Sequence, residues 1–141
     1  MSLAKCPQWT TLEELRQAEA WSDARLRALG LSPLGEYRIV KAGSISVVWR
    51  RQTATGEGVF FKAVPSLFAQ EPPLTEWLSE RWPANIPAVV ATDPHRRWML
   101  TRAVEGASLS ELDSVDAWVA AIRTLARIQI DSIGWETRLA E

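Results

Sequence analysis

Residues 46–64 read SVVWRRQTATGEGVFFKAV. Two runs rich in β-branched and aromatic side chains flank Thr55-Gly56-Glu57-Gly58, and such runs joined by a short glycine-bearing connection form a β-hairpin. Side chains alternate across a strand. Phe60, Lys62 and Val64 therefore share one face of the second run, while Val59, Phe61 and Ala63 share the other. The hairpin commits the middle of the chain to an antiparallel sheet and sets a lysine among apolar neighbours. YRIVK at 37–41 precedes it through Gly43 and Ser44, so the block reads as a three-stranded meander.

Helices flank and interrupt this block. Thr11 opens the first, with Glu14 three residues on in the spacing of a capping box. Leu12, Leu15, Leu26 and Leu29 fall on one face, and Gly30 is a natural terminator. Trp21-Ser22-Asp23 is a point where the segment could divide in two. Ser32, Pro33 and Gly35 form a loop. Pro72 and Pro73 mark the first turn of a helix over 71–82, with Leu74, Trp77, Leu78 and Arg81 as its packed stripe. AVVAT (88–92) and WMLTRA (98–103) are two further strands, joined by the polar loop Asp93-Pro94-His95-Arg96-Arg97. After a loop starting at Gly106, Val115, Trp118, Val119, Ile122, Leu125 and Ala126 keep the 3.6-residue period of a helix over 115–130.

The expected fold is α+β. It has a five-stranded antiparallel sheet, one helix inserted after strand three, and further helices at the N- and C-terminal ends. The segments are 1–35 (N-terminal helix), 36–105 (the sheet-bearing lobe) and 106–141 (a linker and one helix).

Composition narrows the function classes. A chain of 141 residues is one ordinary domain, and 16 basic against 17 acidic residues leave a net charge of −1. That balance gives neither a nucleic-acid footprint nor a polybasic membrane surface. Cys6 is the one cysteine and His95 the one histidine, too few for an internal disulfide or a standard zinc site. No apolar run reaches membrane-span length, and MSLAKCPQWTTLEEL lacks the layout of a secretory signal, so a cytoplasmic location is expected. The eight tryptophans have no fixed spacing and read as packing residues rather than a binding platform.

A few residues stand out chemically. An ammonium beside apolar neighbours is costly unless paired, so Lys62 calls for an anionic partner. The bland reading is an edge-strand lysine whose stem runs out to water. On a helix through 71–82, Glu71 shares a face with Leu74 and Leu78, whereas Glu76 and Glu80 look like a solvated face. Glu71 is thus the first candidate partner and Glu76 the alternative. Because Glu71 precedes two prolines, it also reads as a helix-start residue. Ala42-Gly43-Ser44-Ile45-Ser46 is a small-residue turn whose backbone donors could approach phosphate, although one glycine equally fits an ordinary hairpin turn. Met99 to Gly106 is a strand running into a link whose backbone groups could meet the edge of a flat base. His95 reads as a solvated loop residue, and Arg50 and Arg51 as surface charges.

VVWRRQTATGEGVFFKAV, EPPLTEWLSERWPANIPAVVATDPHRRWMLTRAVEG and AWVAAIRTLARIQ together resemble the aminoglycoside and choline phosphotransferase family. These are ATP-dependent small-molecule kinases with a protein-kinase-like fold, and the resemblance covers residues 36–130. It implies a kinase-like N-terminal lobe followed by only the start of the C-terminal lobe. It implies ATP as cofactor, with Mg2+ in a full-length enzyme. Lys62 would hold the phosphates and Glu71 would pin it. Gly43, Ser44 and Ser46 would cover the phosphates, Thr101 would back the base pocket, and the carbonyl of Arg102 and amide of Val104 would meet the adenine edge. The acceptor would be an aminoglycoside-, choline- or sugar-like hydroxyl compound. The family's His-Gly-Asp run, following asparagine and later magnesium-binding aspartate have no counterpart here, so no catalytic or metal-binding residue is assigned to this chain. The competing reading is a non-catalytic interaction module that reuses the lobe. The apolar stripe of the 115–130 helix implies burial, either folded back or in a homodimer with Trp118 at the contact, and the homodimer is the expectation.

Overall fold

The computed structural model describes residues 7–135. Cys6 and the residues after Trp135 lie outside the described residues. The chain forms two units, one through Ala103 and one from Val104 onward, each described here by itself.

In the first unit, α1 (Leu12–Ala28) is followed by β1 (Pro33–Ala42), β2 (Val47–Thr53) and β3 (Gly58–Ala63), then α2 (Glu71–Arg81), β4 (Val89–Asp93) and β5 (Trp98–Arg102). The strands make one sheet in the order β1-β2-β3-β5-β4, with every neighbouring pair antiparallel. This is the expected α+β arrangement, with its one inserted helix after the third strand.

The capping box forms as the sequence predicts: Glu14 N donates to Thr11 Oγ1 at 3.1 Å and Thr11 N to Glu14 Oε2 at 2.8 Å. The carboxyl of Glu14 sits below the usual carboxylate range, chiefly because of that Thr11 backbone bond. At the other end, Gly30 takes φ +72°, donating to Arg27 O at 3.0 Å while Leu31 N reaches Leu26 O at 2.9 Å. That pair of bonds is the Schellman closure, which needs a left-handed residue.

α1 does not divide at 21–23. Trp21 and Ser22 are buried within one continuous helix, and Ser22 Oγ donates to Ala18 O at 2.8 Å, which removes the cost of a buried hydroxyl. Its buried face is Leu15, Ala18, Trp21, Ser22 and Leu26, and Leu29 is exposed rather than part of the stripe.

The core lies between α1 and one face of the sheet. Trp49 of β2 stacks on Phe61 of β3, with centroids 3.9 Å apart and planes 12° apart. Trp21 and Trp98 close around Phe61 at 6.2 and 6.1 Å. Leu26, Val47, Val59 and Leu100 complete the cluster. These three tryptophans are core residues, as their scatter along the chain implies.

β1 begins at Pro33, inside the segment expected to be a loop. Leu34 pairs with Gln52 and Arg38 with Arg50, so the ladder carries a bulge between them, where Gly35 adopts φ +69°. Glycine makes that conformation accessible, and the bulge lets the strand start early.

In the second unit, a 3-10 turn at Leu109–Glu111 precedes α3 (Val115–Asp131). Ser114 caps the helix by accepting from Ala117 N at 3.3 Å. Gly134, at φ +87°, follows its end. Among the described residues, no helix is long and apolar enough to cross a membrane.

Candidate functional site

β3 is the central strand, flanked by β2 and β5, and Lys62 sits near its C-terminal end. Pairing fixes its neighbours: Val48 lies opposite on β2 and Met99 opposite on β5. Alternation turns Val59, Phe61 and Ala63 into the α1-side core and leaves Phe60 and Lys62 on the other face, half-buried.

After β3, Pro65 and a 3-10 turn at Ser66–Phe68 reverse the chain into α2. Glu71 is the first residue of α2, where a negative charge also complements the helix dipole. Its Oε1 accepts from Lys62 Nζ, forming an ion pair between two side chains each about one-third exposed. The sequence leaves Glu71 and Glu76 as alternatives, and the structure resolves them. Glu76 instead accepts from Thr92 Oγ1 of β4 at 2.9 Å and is half-buried, not on a solvated face. Leu74, expected in the packed stripe, is 40% exposed, while Pro72 is the buried residue of α2. The buried contact of α2 thus lies in its first turn, beside Glu71.

The turn at 43–46 joins β1 to β2. Gly43 N donates to Ser46 O at 3.0 Å, closing the turn. Ser46 is buried, whereas Ser44 and Ile45 are exposed. Trp9 Nε1 donates to Gly43 O at 3.0 Å, tying the segment before α1 to this turn. Sequence reasoning did not single out Trp9 for this, because a bond spanning 34 residues leaves no local signal.

Thr101 lies on β5 opposite Phe60, on the Lys62 side of the sheet. Arg102 N donates to Ala88 O at 2.9 Å, and the Arg102 side chain pairs with Glu57. Val104 belongs to the second unit. His95 lies exposed in the β4–β5 turn, where Arg97 takes φ +61° and its carbonyl accepts from the backbone N of Val64, the residue after β3, at 3.2 Å.

The opposite face of the sheet holds an unexpected ion network. Arg51 is not a surface charge: its side chain is 13% exposed, its Nη1 lies 3.1 Å from Asp23 Oδ1, and its guanidinium sits 4.2 Å from the Tyr37 ring. Tyr37 donates to Asp23 Oδ1 at 2.6 Å. Burial, and then the bond and charge of Asp23, raise the phenol above its ordinary ionisation range. A cavity of about 560 Å3 borders this network, lined in part by Glu19, Tyr37, Trp49 and Arg51.

No protein-family model and no curated protein matches the chain. Among solved structures it is similar to a candidate fructosamine-3-kinase from Thermobifida fusca YX-ER1, with 21% identity and a TM-score of 0.46, over 61% of this chain and 32% of that one. The chain thus spans about a third of the length of that protein.

Proposed function

We propose that this chain is the ATP-holding lobe of a small-molecule phosphotransferase, acting with a catalytic lobe on a hydroxyl of an aminoglycoside-, choline- or sugar-like acceptor. The observation that carries this reading is the Lys62–Glu71 ion pair, set on the central strand of the sheet and reached by the inserted helix. A lysine held by a carboxylate keeps its charge and its direction, which is what a phosphate ligand needs.

Lys62 and the turn containing Ser44 and Ser46 would hold the phosphates, and Thr101 and the strand end at Arg102 would border the base. Magnesium is a different matter. Among the described residues, no three His, Cys, Asp or Glu side chains gather into a metal-binding group. In this reading the ion would enter with the nucleotide. The bound nucleotide supplies the phosphoryl group; this chain's part is to bind and orient it.

Isothermal titration of the chain with Mg·ATP tests this. Saturable binding that Lys62→Met abolishes is the expected result. Absence of binding, or binding that survives the substitution, contradicts it.

A further inference from the structure

The sheet face bearing Lys62 is legible row by row from the strand ladders. Arg38 of β1 pairs with Arg50 of β2, Arg50 with Phe60 of β3, and Phe60 with Thr101 of β5. In the next row on this face, Lys41 pairs with Val48, Val48 with Lys62, and Lys62 with Met99. Residues opposite each other in a ladder point to the same side. The row between them, Ile39, Trp49, Phe61 and Leu100, points the other way, and its last three residues are buried in the core.

Four cations thus share one face: Arg38, Lys41, Arg50 and Lys62. Neither row contains a carboxylate. Lys62 has Glu71, but Arg38, Lys41 and Arg50 make no ion pair among the described residues. Like charges directly opposite on paired strands, as at Arg38 and Arg50, disfavour the sheet. An anion on this face relieves that repulsion.

Arg50 is also partly fixed in place. Its guanidinium lies 5.8 Å from the Phe60 ring centroid, and a Cβ added at Gly58 would meet its Nη2 at 3.0 Å and its Nε at 3.1 Å. Glycine at 58 leaves the room that this guanidinium occupies. A donor already held loses less freedom on meeting its ligand. Lys41 and Lys62 stand two strand spacings apart, about 10 Å between backbones. Long side chains close that gap onto one extended multi-anion, which a single phosphate is too small to span.

We propose that this face binds an oligophosphate chain, with Lys41 and Arg50 as direct ligands beside Lys62. The inference deepens the nucleotide reading by giving the phosphate chain its further ligands, and it rests on Lys62 being a phosphate ligand.

Isothermal titration at low salt, with sodium tripolyphosphate, Mg·ATP and orthophosphate as separate probes, tests it. Tripolyphosphate binds and orthophosphate binds at least about tenfold more weakly. Lys41→Gln and Arg50→Gln each weaken tripolyphosphate about tenfold, the loss of one charge-assisted contact. Arg50→Lys, which keeps the charge, retains most of the affinity, and thermal melting shows that each variant folds. Arg16→Gln, on an exposed part of α1, leaves binding unchanged. Binding of Mg·ATP that is indifferent to Lys41 and Arg50 overturns this inference and leaves the nucleotide reading standing. Binding of tripolyphosphate that depends on them, without binding of Mg·ATP, supports the inference and overturns the nucleotide reading. An Arg16→Gln loss as large as the others shows diffuse charge attraction and overturns the inference. Absence of binding by both probes overturns both.

Discussion

Lys62 of β3 and Glu71 of α2 meet across a nine-residue reversal, and each leaves about a third of its side chain exposed. At that exposure water screens the pair, so its contribution to stability is small, about 1 kcal/mol or less. Its value is directional. Glu71→Gln is predicted to lower the urea midpoint only slightly, while weakening Mg·ATP binding about tenfold through a less fixed lysine. Equilibrium unfolding and titration on the same preparation check both halves.

The Asp23–Arg51 pair makes the opposite prediction. With side chains 18% and 13% exposed, both charges are largely out of water. Removing one partner strands the other, at a cost of about 3 kcal/mol. Asp23→Ala is predicted to destabilise the chain by about that amount, and adding Arg51→Met to recover much of it. Urea midpoints of the two single variants and the double variant measure the coupling.

Tyr37 is the chain's one tyrosine, so tyrosinate absorbance near 295 nm reports on it alone. Its phenol is raised in the folded state by burial and by Asp23. A group whose folded ionisation lies above its unfolded one adds stability that is complete below the unfolded value. For a phenol that value is about 10, and the contribution is lost as pH climbs past it. Tyrosinate is therefore predicted to stay absent in the folded protein above pH 10 and to appear together with alkaline unfolding. In the Asp23→Asn variant it appears at lower pH.

The N-cap of α1 gives a fourth test. Thr11→Ala removes the hydroxyl that accepts from Glu14 N and is predicted to cost about 1 kcal/mol. Because the Glu14 carboxyl is depressed in the fold, its share of stability is present above the ordinary carboxylate range and fades as pH falls. The Thr11 hydroxyl also donates to Glu14 Oε2 at 3.2 Å, so thermal melts at neutral and acid pH are expected to show the Thr11→Ala penalty shrinking slightly in acid.

Much of this architecture is legible in local sequence, because its signals are local. Alternation in VFFKAV sorts Phe61 inward and Lys62 to the other face, and the Thr11–Glu14 spacing marks the start of α1. Gly30 marks its end. What escaped is non-local. Arg51 looks like its neighbour Arg50, but the bulge at Gly35 and the turn of α1 bring Tyr37 and Asp23 to it. Glu76 looks solvated on a helical wheel, yet Thr92, 16 residues away on β4, donates to it. Of the candidate site, the sequence limits the Lys62 partner to two glutamates, Glu71 and Glu76. The choice rests on tertiary partners, Lys62 for Glu71 and Thr92 for Glu76, which no spacing rule states.

The chain has three lysines, Lys5, Lys41 and Lys62, which makes covalent labelling a sharp readout. An acyl-phosphate derivative of ATP transfers its acyl group to a lysine amine lying within reach of the bound phosphates. Peptide mapping after such labelling is the most direct test of the central claim, that Lys62 is the cation of a nucleotide site. Acylation of Lys62 that excess ATP prevents is the predicted result. Labelling that ATP does not prevent, or that falls on Lys5 while sparing Lys62, contradicts it.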